Sequence, residues 1–233
     1  GLRWRGHEII KKRIEKYSIA CDLKYGHLHA AYKPAHMDDL KADYEEAVRR
    51  GMGDEVTLLD RSAVRNHLDS DLYHGAIKNM RNMHLHPLNL CIGEAKAAES
   101  LGALIFEHSE VLEIIHGDKP AVVTAEGRID AKQVLLAGDV YHQLEPKKLK
   151  GMIFPAMGGI VTTEPLGELA DQINPHDLAV YDCRFVLDYF RLTADKRLLF
   201  GGGANYSGRD LSLIHISEPT RRTPISYAVF CLK

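Results

Sequence analysis

Between Pro87 and Gly138 the chain reads PLNLCIGEAKAAESLG, then ALIF (Ala103–Phe106), VLEII (Val111–Ile115), AVVT (Ala121–Thr124), IDAK (Ile129–Lys132) and QVLLAG (Gln133–Gly138). Pro87 suits the first turn of a helix, where its fixed φ and missing N–H cost little. The helix it opens is expected to bury Leu88, Cys91, Ile92, Ala95 and Leu101 and to stop at Gly102. Ala103–Phe106 reads as a strand. Three short β segments follow, separated by turn signals at Gly117-Asp118 and Glu126-Gly127. Gln133–Ala137 is the compact apolar run expected of a buried strand. Helix, strand, three-stranded meander and buried strand follow one another in that order, an organisation of the α/β kind.

Upstream, Ile9, Ile10, Ile14 and Tyr17 recur near helical spacing, with Lys11, Lys12, Arg13 and Lys16 largely off that face. Gly26–Tyr32 reads as a strand. A helix capped by Asp38 or Asp39 carries Leu40, Tyr44 and Val48 and stops at Gly51. Val56–Leu59 is a short strand, and Asp60 or Ser62 caps a further short helix. Downstream, Gly159–Thr163 reads as a strand and Leu166–Ile173 as a helix. Phe185–Leu192 and Arg197–Phe200 read as paired strands joined by Ala194-Asp195-Lys196, and Gly201–Gly203 as a glycine-rich turn.

Of the 233 residues, 45% are hydrophobic and 27% charged, with a formal net charge of −2. That balance fits a globular chain and gives no reason to expect nucleic acid or an anionic membrane as partner. No apolar run reaches the roughly 18 residues needed to cross a bilayer. Four scattered cysteines with no C-x-x-C pair fit a reducing, cytoplasmic setting. From Leu211 the rhythm changes: LSLIHISEPTR and ISYAVFCLK read as translations of sequencing-library adaptor ends. Leu211–Lys233 is therefore expected to be non-native.

Four stretches carry a family resemblance: HLHPLNLCIGEAKAAESLG (His84–Gly102), KPAVVTAEGRIDAKQVLLAGDVY (Lys119–Tyr141), IVTTEPL (Ile160–Leu166) and DCRFVLDYFRLTADKRLLFGGGANYSGRD (Asp182–Asp210). Together they resemble the D-amino-acid-oxidase superfamily of FAD-dependent enzymes. The resemblance implies an α/β plus α+β fold: an incomplete FAD-binding Rossmann-like domain interleaved with a mixed-sheet substrate domain. It places residues 1–25 as an FAD-domain helix segment and 26–78 as the first part of the substrate domain. Residues 79–141 become a second FAD-domain segment, and 142–210 the rest of the substrate domain. The family's G-x-G-x-x-G turn, whose backbone cradles the FAD pyrophosphate, is expected to precede Gly1, so the chain reads as an internal fragment. A part that normally closes over the flavin is expected after Asp210. Asn82-Met83 and Asp139 depart from the family pattern, which expects a glycine pair and an asparagine there.

The resemblance implies FAD as cofactor, a small-molecule amine as substrate and oxygen as electron acceptor. A gamma-glutamylputrescine-like primary amine would give an aldehyde, ammonia and hydrogen peroxide. Glycine, sarcosine or a D-amino acid are the alternative substrates, and a cofactor-free binding module on the same fold is the alternative class. By this resemblance Val111 meets the adenine end of FAD through its backbone, and Ala137-Gly138 lets the chain pass close to the cofactor. A core valine and an ordinary strand-ending glycine are their plainer readings. No catalytic side chain is named, because the cofactor carries the difficult step. Tyr189 and Arg191 alternate with Phe190, so they share a strand face and form a pair able to hold a substrate carboxylate. An ordinary surface pair is the commoner meaning of Tyr-x-Arg. His84 and His86 lack a third ligand at motif spacing, so no metal site is expected. Cys183 reads as a buried thiol.

Overall fold

The protein is represented by a computed structural model that describes residues 2–139, 144–149, 152 and 156–205. The segment from Leu211 lies outside the described residues. Two compact units divide the chain. One is built from residues 1–97 and 158–204, the other from residues 98–157.

The first unit is organised on a seven-stranded mixed sheet. Its strands are β1 (Lys24–Ala30), β2 (Val56–Asp60), β3 (Gly75–His84), β7 (Met157–Thr162), β8 (Ala179–Asp182), β9 (Tyr189–Leu192) and β10 (Leu198–Asn205), ordered β2-β3-β1-β8-β9-β10-β7. The central pair, β1 and β8, is parallel. β2–β3, β1–β3, β8–β9 and β9–β10 are antiparallel. Strand alternation splits the side chains cleanly between two faces. Leu28, Ala30, Ala76, Val180, Phe190, Leu192 and Leu198 point to one face. There they pack with Val64 of α3 (Arg61–Arg65) and Ala170 of α5 (Glu168–Ile173) into the main core. The opposite face carries Ile77, which packs with Ala31 and with Leu40 of α2 (His36–Arg49). Beside that cluster, the same face carries the polar residues described below.

Several local devices follow from sequence. Asp60 accepts from the Ala63 N–H at 2.8 Å and caps α3. The start of α2 differs from expectation: Ala35 is its N-cap without a side-chain bond, and Asp38 and Asp39 sit inside the first turn. There their charge complements the helix dipole. α2 does end at Gly51. The Gly51 N–H bonds Val48 and the Met52 N–H bonds Ala47, the paired pattern of a Schellman cap, with Gly51 at φ +74°. A Cβ there would meet nothing within 4 Å, so strain alone sets the effect of Gly51→Ala. We expect a loss of about 1 kcal/mol in urea unfolding; an unchanged midpoint would contradict it.

α1 (Leu2–Tyr17) and α4 (Pro87–Ser100) also belong to the expected elements. His86 caps α4 with its imidazole, Nδ1 accepting from the Asn89 N–H at 3.2 Å. The face α4 buries is not the expected one, however. Leu88, Ile92 and Leu101 are exposed, while Ala97 is buried and Gly93 lies so close to Ile19 that a Cβ would overlap it. Small residues allow that close approach, and the larger apolar stripe has no cover among the described residues.

In the second unit, β4 (Val111–Ile115), β5 (Ala121–Thr124) and β6 (Arg128–Asp130) form the expected meander, in the order β4-β5-β6. The two flanking strands are not formed. Ala103–Phe106 and Gln133–Ala137 have no regular structure, and Leu104 and Leu135 are more than 80% exposed. A parallel strand exists only through ladder partners on its edges, and neither segment has one among the described residues. Two further readings are corrected in the first unit. Phe185–Asp188 is bend and irregular chain rather than strand, and Gly201–Gly203 lies within β10 rather than in a turn. β3 and β8 were not foreseen.

Candidate functional site

The polar face of the first unit's sheet bears an open cavity of about 410 Å³. Tyr189 and Arg191 line it from β9, His27 from β1, Tyr181 from β8 and Asn82 from β3, with His7 of α1 beside them. Phe190, between Tyr189 and Arg191, is buried in the main core on the other side. The strand alternation that pairs Tyr189 with Arg191 is thus realised.

A bulge of three residues against one brings Asn82 to this cavity. β1 and β3 pair His27 with Asn79 and then Tyr25 with Met83. Met80, Arg81 and Asn82 therefore face the single residue Gly26. The Asn79 side chain, itself buried, accepts from the N–H groups of Arg81 (2.9 Å) and Asn82 (3.1 Å), which holds the extra residues. Gly26 adopts φ +102°, and a Cβ there would come within 2.5 Å of Leu178 and 2.9 Å of Met80. The φ requires glycine, while the Cβ contacts are with the ends of two side chains.

The bulge brings Asn82 Nδ2 within 2.7 Å of His27 Nδ1. The other ring nitrogen, Nε2, faces the Tyr181 hydroxyl at 3.4 Å. The Tyr181 ring stacks between the two imidazoles of β1, its centroid 5.3 Å from that of His27 and 4.4 Å from that of His29. His29 Nε2 lies 3.3 Å from Cys183 Sγ. Burial pushes the Cys183 thiol up to about 11, with Asp182 adding to the effect. Such a shift keeps the thiol protonated and disfavours a nucleophilic role; Cys183 is half-buried rather than fully buried as expected.

The other end of β8 is clamped. Asp182, 2% exposed, accepts from the Arg184 and Asp188 N–H groups at 3.1 Å each. Arg184 pairs with Asp188 and lies 3.8 Å over the Tyr32 ring. The loop leading into Tyr189 is therefore fixed at both ends. Arg191 donates through Nη1 to the Leu192 carbonyl at 3.0 Å.

His84, at the end of β3, is nine-tenths buried, its Nε2 donating to the Asp177 carbonyl at 2.9 Å. Burial lowers the basicity of His84, and likewise of His29. Below pH 6.5 the unfolded chain takes up protons that these folded rings refuse, so they lower stability as pH falls through that window. We expect the urea midpoint to drop between pH 7.5 and 5.5, and to drop less in His84→Gln. An equal drop in the variant would contradict this role.

The proposed cofactor-side residues lie in the other unit. Val111 is half-buried on β4, an edge strand whose outer side has no ladder partner among the described residues. Alternate N–H and C=O groups on such an edge can meet the rim of a planar heterocycle, which fits the adenine end of FAD. Ala137 and Gly138 are exposed, in chain without regular structure. The sequence holds no G-x-G-x-x-G, so a pyrophosphate cradle of that type is not among these residues.

Sequence reading missed His27, Asn82 and Tyr181. The alternation of His27 and His29 with the buried Leu28 and Ala30 was a visible sign of a polar sheet face. Their convergence with Tyr181, 154 residues away from His27, was not visible.

A mixed sheet with one core face and one polar, cavity-bearing face is thus joined in sequence to a three-stranded meander. The sequence profile of the FAD dependent oxidoreductases matches residues 1–226, and the chain belongs to that family, whose cofactor is FAD. It is 41% identical over 212 residues to gamma-glutamylputrescine oxidoreductase of Escherichia coli (strain K12), covering 90% of this chain and 49% of that protein. It is 38% identical to a probable oxidoreductase, OrdL, of Haemophilus influenzae, over 89% of this chain and 49% of the relative. The chain thus spans about half the length of these curated relatives. Among solved structures, glycine oxidase from Geobacillus kaustophilus superposes with a TM-score of 0.70 at 20% identity, covering 89% of this chain and 55% of that one. L-proline dehydrogenase from P. horikoshii superposes with 0.70 at 19% identity, covering 88% and 56%. These two establish the fold alone. Among the described residues, no helix is long and apolar enough to cross a membrane.

Proposed function

We propose that the whole protein to which this chain belongs oxidises a primary amine that carries a carboxylate at its far end, a gamma-glutamylputrescine-like substrate, and that Arg191 and Tyr189 hold that end. One observation carries the reading: a guanidinium, a phenol, an imidazole and a carboxamide converge on one 410 Å³ cavity from four strands. Arg191 supplies the charge that a carboxylate needs, through a fork matched to its two oxygens. Tyr189 and Leu199 give the walls along which an unbranched chain packs. The His27–Asn82–Tyr181 network adds fixed donors and acceptors around it. Holding one end of the substrate leaves the amine end in a fixed position, which is how binding energy is converted into orientation. FAD, when bound, supplies the two-electron acceptor for the C–H bond beside the amine; Val111, Ala137 and Gly138 are the residues of this chain that would meet it. The resulting imine hydrolyses to an aldehyde and ammonia, and oxygen is reduced to hydrogen peroxide.

The same proposal divides the chain into FAD-domain segments 1–25 and 79–141 and substrate-domain segments 26–78 and 142–210. Its test is a peroxide assay on the FAD-loaded full-length protein with gamma-glutamylputrescine, glycine, sarcosine and a D-amino acid. Turnover of the first well above the others supports the proposal. Preference for one of the short amino acids overturns it in favour of a general amino-acid oxidase.

A further inference from the structure

Gly201 is a buried residue of β10, paired across the ladder with Tyr189. A Cβ built on it would overlap Cζ, Cε2 and Oη of Tyr189. The outer part of the Tyr189 ring thus lies over Gly201, in the space that any other residue's side chain would fill. The next glycine does the same for the neighbouring residue: a Cβ on Gly202 would come within 2.5 Å of Asp188 Oδ1. Asp188 pairs with Arg184, and the buried Asp182 grips the loop between them. β9 therefore enters the cavity with its first residue pressed down onto a glycine floor and its lead-in loop clamped.

We propose that Gly201 is a positioning and specificity-determining residue: it seats the Tyr189 ring, and through that ring it sets the width of the passage to Arg191. This rests on the reading of the cavity as the site for the substrate's carboxylate end. A ring lying on glycine keeps its thickness out of the cavity, so an unbranched chain can pass to the guanidinium. A methyl group at position 201 lifts the ring into that passage. The atoms it displaces are the far end of a side chain and not backbone. The substitution is therefore expected to move Tyr189 and leave the sheet intact.

The experiment is a double-mutant cycle on the FAD-loaded full-length enzyme, with Gly201→Ala, Tyr189→Ala and the pair. The readouts are KM and kcat for gamma-glutamylputrescine and the position of the Tyr189 ring in a crystal structure of Gly201→Ala. The expected result is a KM raised roughly tenfold or more by Gly201→Ala with kcat little changed, and a displaced ring. In the Tyr189→Ala background the same substitution should change KM by less than about twofold, because its effect passes through the ring. Additive effects in the cycle, or a ring that stays in place, would overturn the proposal. Failure of the carboxylate reading gives a different pattern: the ring moves in the crystal while KM is unaffected by Gly201→Ala and by Tyr189→Ala alike. That outcome rejects Gly201 as a specificity residue and the carboxylate assignment together.

Discussion

Replacing Arg191 with alanine is expected to raise KM for a carboxylate-bearing amine roughly 10- to 100-fold in the full-length enzyme, with kcat nearly unchanged. A hydrogen bond to a charged group contributes about 1.5–3 kcal/mol, and each 1.4 kcal/mol corresponds to about a factor of ten. The contact is remote from the reacting C–H bond, so it is made equally in the ground and transition states, which moves KM and not kcat. Arg191→Lys should recover part of the loss, since a point charge remains but the two-pronged fork is gone. An amine of the same length without the carboxylate should not distinguish the variants. Steady-state kinetics on the two substrates reads all of this, and an unchanged KM in Arg191→Ala would remove Arg191 from the site.

The largest effect on stability is expected from Leu28→Ala. Leu28 is fully buried on the core face of β1, the strand that pairs with both β3 and β8 at the centre of the sheet. Removing three carbons there loses their transfer free energy and leaves a cavity between strands and helices, at a cost of about 3–5 kcal/mol. Because His27 and His29 flank Leu28 on the opposite face, loosening β1 also disturbs the stack with Tyr181. Urea unfolding measures the loss, and a change below about 1 kcal/mol would show that the core face has been misassigned.

The parts of this fold that were legible in sequence are those fixed by neighbours along the chain. α1, α4, the β4–β5–β6 meander and the β9–β10 pair all follow from local periodicity and turn chemistry. The Asp60 cap and the Gly51 stop do so as well. What could not be read depends on partners distant in sequence. β3 runs from the buried Gly75 and Ala76 through a bulge held by Asn79, and its polar second half does not alternate as a regular strand should. β8 is only four residues long and exists because β1 pairs with it across about 150 positions. Conversely, ALIF and QVLLA have the composition of buried strands but find no ladder among the described residues, so composition alone misled. The helical stripe on α4 failed in a similar way, since the packing face is chosen by how near Ile19 can come to Gly93. In the site, Tyr189 and Arg191 were readable from simple alternation. Gly201 was visible only as one of three glycines, and its relation to Tyr189 appears once β9 and β10 are in register.

What occupies the cavity beside Arg191 decides whether a carboxylate is bound there. The measurement that asks this most directly is a crystal structure of the FAD-loaded full-length protein with an unreactive, carboxylate-bearing amine analogue. The expected result is a carboxylate within hydrogen-bond distance of the Arg191 guanidinium, with the chain of the analogue running past the Tyr189 ring. An analogue bound with its carboxylate elsewhere, or a cavity left empty at saturating analogue, would contradict the account.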